Sequence, residues 1–322
     1  MECIWDNLDD TCMRSSAKSV RPGVEFAFAA TSGASAAFFT NPIDVVKIRM
    51  QLQGELLSRG SYARVYRNTF HAGYQIARHE GLLALQSGLG PAFGYQILLN
   101  GTRLGSYHCS KRYGLINNDS GETSIVKTAL VSGIAGITGA VVGSPFYMVK
   151  TQLQSQAAKS IAVGFQHHHN GAFDAFRHAW RDAGFFGLYR GWYANLPKVF
   201  IGSATQLTVF GLVTDWLKTL EAFENRPLFL TFVASTISGC CLAVVMQPFD
   251  VISVRLYNQG TDLQGRGIYY NGLSDALYKV FKIEGVLGLY KGIFPTLMRS
   301  APHVVLCQVF YENLAQLYDE TH

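Results

Sequence analysis

Charge is scarce in this chain. Lys, Arg, Asp and Glu make up 15% of its 322 residues, against about a quarter in ordinary soluble domains. A sequence so poor in charge yet 13% aromatic is neither intrinsically disordered nor suited to a nucleic-acid backbone. The basic surplus is small, 27 Lys+Arg against 22 Asp+Glu, and suits an anionic lipid surface or an anionic ligand. The six cysteines, Cys3, Cys12, Cys109, Cys240, Cys241 and Cys307, form no C-x-x-C pair, so free thiols are expected and no metal centre is. Residues 1–20 lack both the apolar core of a signal peptide and the acid-poor, Arg-rich character of a transit peptide. Any address is therefore expected to be internal. No nucleophile–base arrangement stands out, and Gly88-x-Gly90-x-x-x-Gly94 has no strand before it to make a dinucleotide fingerprint. An enzyme is not expected.

What the chain does have is long stretches free of charge. Glu25–Asp44 encloses 18 uncharged residues, Glu80–Arg103 22, Lys127–Lys150 22, Lys198–Asp215 16, Arg226–Asp250 23 and Arg299–Glu312 12. A helix needs about 20 residues to cross the hydrocarbon core. The two short windows place Lys198 and Arg299 inside a span, where charges normally face water or a partner and serve function. The windows are rich in Gly, Ala, Ser and Thr, which let membrane helices approach closely.

The windows recur with a period. Pro42-Ile-Asp44-Val-Val-Lys47-Ile-Arg49-Met-Gln51 returns as Pro145-Phe-Tyr147-Met-Val-Lys150-Thr-Gln-Leu-Gln154. It returns again as Pro248-Phe-Asp250-Val-Ile-Ser253-Val-Arg255-Leu-Tyr257, each proline 103 residues after the last. A second block, containing Gly81 and Gly88, Gly184 and Gly191, then Gly285 and Gly292, follows each time. Three copies of one unit define the organisation: a tail at 1–21, then repeats at 22–122, 123–225 and 226–322. Each repeat reads as a spanning helix that ends in the Pro block, a surface helix (69–79, 172–182, 273–283) and a second spanning helix. Six spans put both termini on one side. The opposite loops carry Lys47, Arg49, Arg59, Arg64, Arg67, Arg78, Lys150, Lys159, Arg177, Arg181 and Lys279, a bias that faces the interior compartment. The fold class expected is an all-α membrane protein of six transmembrane helices in three pseudo-symmetric repeats.

The triple Pro-x-acidic-x-x-basic block with an aromatic–basic–glycine block behind it resembles the mitochondrial carrier family (solute carrier family 25). The resemblance covers about residues 22–320 and is strongest to the branch with the oxaloacetate/sulfate carrier and members 34 and 35. It implies a monomer in the mitochondrial inner membrane, with both termini toward the intermembrane space and the surface helices on the matrix side. It implies helices bent at Pro42, Pro145 and Pro248, and a matrix gate paired cyclically: Asp44–Lys150, Asp250–Lys47 and, with both charges lost together, Tyr147–Ser253. Gln51 and Gln154 would brace that gate. The cytosolic gate is reduced to Lys111 and Glu312. Cardiolipin is implied as a structural lipid and no cofactor is.

Seven residues after Gly88, Gly191 and Gly292 come Tyr95, Lys198 and Arg299, about two helical turns deeper. By resemblance these are the substrate contacts, with Val199 completing the second. Arg103 lies eight residues beyond Tyr95 on the same face. Cations without a carboxylate among these positions suit a small dianion, such as a dicarboxylate, a keto-acid (oxaloacetate or malate) or sulfate. His303, one turn after Arg299, is a candidate proton carrier. The tract His167-His168-His169 looks like a metal cluster but sits in a polar loop, and incidental affinity is the expectation. The alternatives are a carrier that leaks protons or fatty-acid anions, and a non-transporting membrane adaptor on the same scaffold.

Overall fold

The computed structural model describes residues 22–58, 60–112, 125–220, 227–262 and 266–321. Nine helices of twelve residues or more carry the described part, three per repeat. They are α1 (Pro22–Leu52), α2 (Thr69–Glu80) and α3 (Leu89–Arg112); α4 (Ile125–Ser155), α5 (Ala172–Leu188) and α6 (Asn195–Lys218); α7 (Pro227–Asn258), α8 (Leu273–Glu284) and α9 (Ile293–Thr321). Short helical turns precede α3, α6 and α9. The surface helices start where expected, at Thr69, Ala172 and Leu273. The second runs one and a half turns further than its apolar pattern indicates.

At about 1.5 Å per residue the 31-residue α1 and α4 span roughly 46 Å. Each long helix packs on the next, and α9 returns to α1, so the six close a ring. The outside of that ring is apolar. Phe38 and Phe39, Ile97, Leu130 and Ile134, Phe200 and Leu212, Val244 and Val245, Val305 and Val309 are all exposed, one set per helix. A monomer in water does not keep apolar surface on every face. Among the described residues, Leu82–Leu99 and Thr236–Asn258 are long and apolar enough to cross a membrane on composition alone.

Each odd helix continues without a break past its proline, at Pro42, Pro145 and Pro248. Proline has no N–H to give, so the carbonyl four residues back is freed. In the first repeat that oxygen, on Phe38, accepts from Gln86 Nε2 at 3.1 Å. The second block's glycine sits at the matching junction. Gly88, Gly191 and Gly292 have φ of 70°, 77° and 79°, a conformation that favours glycine. A Cβ would also meet Gln154 at 3.0 Å, Tyr257 at 3.5 Å and Gln51 at 2.9 Å respectively. Each repeat's glycine thus receives the residue nine past the proline of the next repeat, in a closed cycle.

The packed core lies at the Pro-block end. Three apolar clusters form there, around Val45–Leu52 with Tyr66 and Ile76, around Met148–Leu153 with Ala175 and Tyr257, and around Ile252–Leu256 with Ala276 and Val280. Each joins an odd helix to a surface helix.

Candidate functional site

At the Pro-block end the odd helices converge on two carboxylates. Lys150 Nζ donates to Asp44 Oδ2 at 2.7 Å, and Lys47 Nζ lies 2.6 Å from Asp250 Oδ2. All four side chains are buried. Gln51 Nε2 donates to Asp250 Oδ2 at 2.8 Å, so this glutamine touches the pair directly. Gln154 does not touch the Asp44–Lys150 pair. Its Nε2 donates to Asn41 Oδ1 at 2.8 Å, and Asn41 in turn holds the carbonyls of Leu85 and Ser87.

The third corner differs from its expectation. Ser253 Oγ donates to the Ala194 carbonyl at 2.7 Å, so the hydroxyl is spent on the start of α6 rather than on Tyr147. Tyr147 instead packs its ring between Tyr95 and Tyr257, at centroid distances of 5.2 and 5.1 Å. Tyr257 closes the corner, with its hydroxyl 2.9 Å from Ser144 Oγ and accepting from Asn195 Nδ2 at 3.0 Å. An aromatic stack stands where a charge pair would.

Lys198 and Arg299 are also not the lone cations that their spacing suggested. Lys198 Nζ donates to Asp250 Oδ1 at 2.6 Å and lies 5.4 Å from the Tyr147 ring centroid. Arg299 Nε is 2.6 Å from Asp44 Oδ1. Each carboxylate therefore has one oxygen on an odd-helix lysine and the other on an even-helix cation. Asp44, Lys47, Lys150, Lys198 and Arg299 line a cavity of about 260 Å³ together with Tyr95, Tyr147, Gln96 and His303, and Asp250 pairs with Lys47 and Lys198 from behind that lining. Counting Asp250 with the wall, four cations against two carboxylates leave a surplus of two positive charges around it. His303 lies 3.2 Å from Thr40 Oγ1 through Nδ1 and 3.2 Å from Gln96 Nε2 through Nε2. Val199 is not on the cavity wall. It faces Gly136 on α4, where a Cβ would come within 3.3 Å of its Cγ1, and so serves helix packing. The side chains of Arg103, Lys111 and Glu312 lie outside the described residues.

Three of the cations counted as loop charge are in fact interior. Lys47, Arg49 and Lys150 are buried. Arg59 lies outside the described residues. Arg49 forks onto Glu80 at 2.7 Å through each of its two terminal guanidinium nitrogens. Arg255 does the same to Glu284, at 2.5 and 2.9 Å. These clamps tie odd helices to surface helices and were missed in the sequence, although the signal was there. Arginine recurs seven residues after Pro42 and Pro248, and glutamate recurs before Gly81 and Gly285. In the second repeat both are absent together, as Gln152 and Ala183. Burial opposes ionisation of Glu284, but hydrogen bonds from Arg255 and Lys291 outweigh it and hold its carboxyl below the ordinary value.

Near Gln152 the structure gathers the histidine tract. His167 and His169 stack at 5.3 Å, and burial pushes His167 down to about 4 and lowers His169 as well. Both rings are neutral at ordinary pH.

Comparison with known proteins agrees with the threefold unit. The family described as mitochondrial carrier protein matches residues 18–117, 121–221 and 224–322. Solute carrier family 25 member 35 of Mus musculus is 45% identical over 296 residues, 92% of this chain and 99% of that protein. The mitochondrial oxaloacetate transport protein of Saccharomyces cerevisiae is 40% identical over 283 residues, 86% of this chain and 84% of the relative. The mitochondrial citrate transporter E of Aspergillus niger is 40% identical over 270 residues, 83% and 84% of the two chains.

Proposed function

The chain belongs to the mitochondrial carrier family, which makes it a transporter and not an enzyme, and from that premise we propose that it carries a small anion, a dicarboxylate or keto-acid or sulfate, across the mitochondrial inner membrane. The observation that carries the reading is the shared use of Lys198 and Arg299. Both line the cavity, and both are bound to the carboxylates that hold the Pro-block end shut. An anion that takes over these two cations leaves Asp44 and Asp250 with one lysine each. Substrate binding then weakens the closed end as it forms, which is the differential interaction that a conformational change requires. The opposite end would close by the Lys111–Glu312 pair.

The charge surplus of two suits a dianion, and about 260 Å³ is below the usual range for drug-sized ligands, about 300–1,000 Å³. Oxaloacetate and malate fit this chemistry, as does sulfate. The names of the yeast and Aspergillus relatives point to oxaloacetate and citrate. The Pro-block end is assigned to the matrix, both termini to the intermembrane space, and the working unit to the monomer. Cardiolipin is assigned to the starts of α5 and α8. There Gly171 and Gly272 precede the first turn without a side-chain cap, so backbone N–H groups are free for a phosphate.

Uptake of labelled malate, oxaloacetate, citrate and sulfate into proteoliposomes tests the reading. Saturable uptake of at least one of them, driven by exchange or symport, is expected. Proton flux independent of all four would replace it with a leak. Binding without any flux would replace it with an adaptor.

A further inference from the structure

The histidine tract ahead of α5 takes no part in the cavity, and its geometry has a use of its own. One ligand atom each from His169, Asp174 and His178 lies within 4.8 Å of the others. Asp174 and His178 are a turn apart on α5, with His178 Nε2 3.5 Å from Asp174 Oδ1. His169 reaches in from the loop, its ring 5.5 Å from that of His178.

The hydrogen bonds around these groups decide what they offer. His169 Nε2 lies 3.3 Å from Gln152 Oε1, an oxygen that can only accept, so this nitrogen carries the proton. Nδ1 then bears the lone pair, and it is shielded from water with no hydrogen-bond partner. One nitrogen tied to an oxygen and the other left bare is how imidazoles are oriented for metals. Asp174 is set the same way: its Oδ2 accepts from the Asn170 N–H at 2.9 Å, which leaves Oδ1 turned to His178. A cavity bordered by His169, His178 and Asp182 opens beside them and gives room for water or a fourth ligand.

We infer that His169, Asp174 and His178 form a site for a transition-metal ion of the zinc class. Two imidazoles, a carboxylate and an open position match that chemistry. Metal–ligand bonds of about 2.0–2.2 Å require the three atoms to draw closer, and His178, on the open face of α5, is free to swing in. The site stands at a meaningful place. His169 leans on Gln152, which occupies the position of Arg49 and Arg255, so the ion would tie α5 to α4 in the one repeat that lacks the arginine–glutamate clamp.

The test uses tag-free, chelator-treated protein in detergent, with zinc chloride titrated by calorimetry and followed by thermal shift. One Zn²⁺ per chain at micromolar or tighter affinity is expected, with a rise in Tm that chelator reverses and a tetrahedral visible spectrum when Co²⁺ replaces it. His178→Asn, on an exposed position, and His169→Gln should each weaken binding at least tenfold. His168→Ala, an exposed neighbour outside the triangle, should leave it unchanged. Binding that survives His178→Asn, or that falls equally in His168→Ala, would mean the tract binds metal without a site and overturns the inference. So would the absence of any zinc-dependent rise in Tm.

Discussion

The first and third repeats hold themselves together by charge, and the second by shape. Repeats 1 and 3 each supply an ion-paired aspartate, Asp44 or Asp250, and each fasten a surface helix with a buried fork, Arg49–Glu80 or Arg255–Glu284. Repeat 2 offers Tyr147 and Gln152 at those positions, and Ala183 opposite. Its corner is a stack of Tyr95, Tyr147 and Tyr257, and its surface helix meets a hydrogen-bonded glutamine. Yet the backbone is the same in all three. The residue seven past each proline reaches the carbonyl nine past the next repeat's proline: Arg49 to Gln154, Gln152 to Tyr257, Arg255 to Gln51. The scaffold is therefore set by helix geometry and glycine junctions, whereas the ion pairs determine what each corner can release. On the proposed function, a corner held by packing offers an anion no cation to take, so two corners out of three would respond to substrate.

The comparison breaks most sharply at Asp250. Asp250→Asn leaves Lys47 and Lys198 without their shared acid and should cost about 3–5 kcal/mol with uptake lost, as read by thermal shift and proteoliposome assay. Glu284→Gln strands the buried Arg255 and should cost about 3 kcal/mol, whereas Gln152→Ala, at the matching place in repeat 2, should cost about 1 kcal/mol or less. Equal losses would remove the distinction between the repeats. Exchanging Asp44 and Lys150 (Asp44→Lys with Lys150→Asp) remakes that one pair but sets a lysine against Arg299, so it should recover part of the Tm lost in either single reversal and little of the uptake. Ser253→Ala loses one hydrogen bond to Ala194 and should cost about 1 kcal/mol with uptake changed less than about twofold, since no ion pair depends on it. The smallest effect is pH. The depressed Glu284 carboxyl contributes stability that is complete above its ordinary value of 4.5 and is lost as pH falls through the lower folded value. Tm should thus fall more steeply on acidification in wild type than in Glu284→Gln.

Much of this was legible in the sequence because it depends on linear spacing, within a repeat and from one repeat to the next. The prolines 103 residues apart, the glycine ruler to Tyr95, Lys198 and Arg299, and the loss of charge at both Tyr147 and Ser253 can all be counted along the chain, although those last two residues do not pair. What was not legible depends on how helices from different repeats meet. That Lys198 falls on Asp250 and Arg299 on Asp44 follows from the convergence of α6 on α7 and of α9 on α1, which no periodicity encodes. Ser253 turning to a carbonyl is of the same kind, since backbone acceptors leave no trace in residue types. Val199 sits one residue beyond Lys198, and about 100° of helical rotation carries it from the cavity to the α4 interface.

The central claim is that the anion and the closed end compete for Lys198 and Arg299. Uptake of labelled malate or oxaloacetate by Lys198→Gln and Arg299→Gln, measured beside the anion-induced rise in Tm, tests it most directly. Each variant should lose at least about 100-fold in uptake, the kinetic equivalent of a charged contact of about 3 kcal/mol, and should lose the rise in Tm with it. Wild-type uptake in either variant would contradict the account.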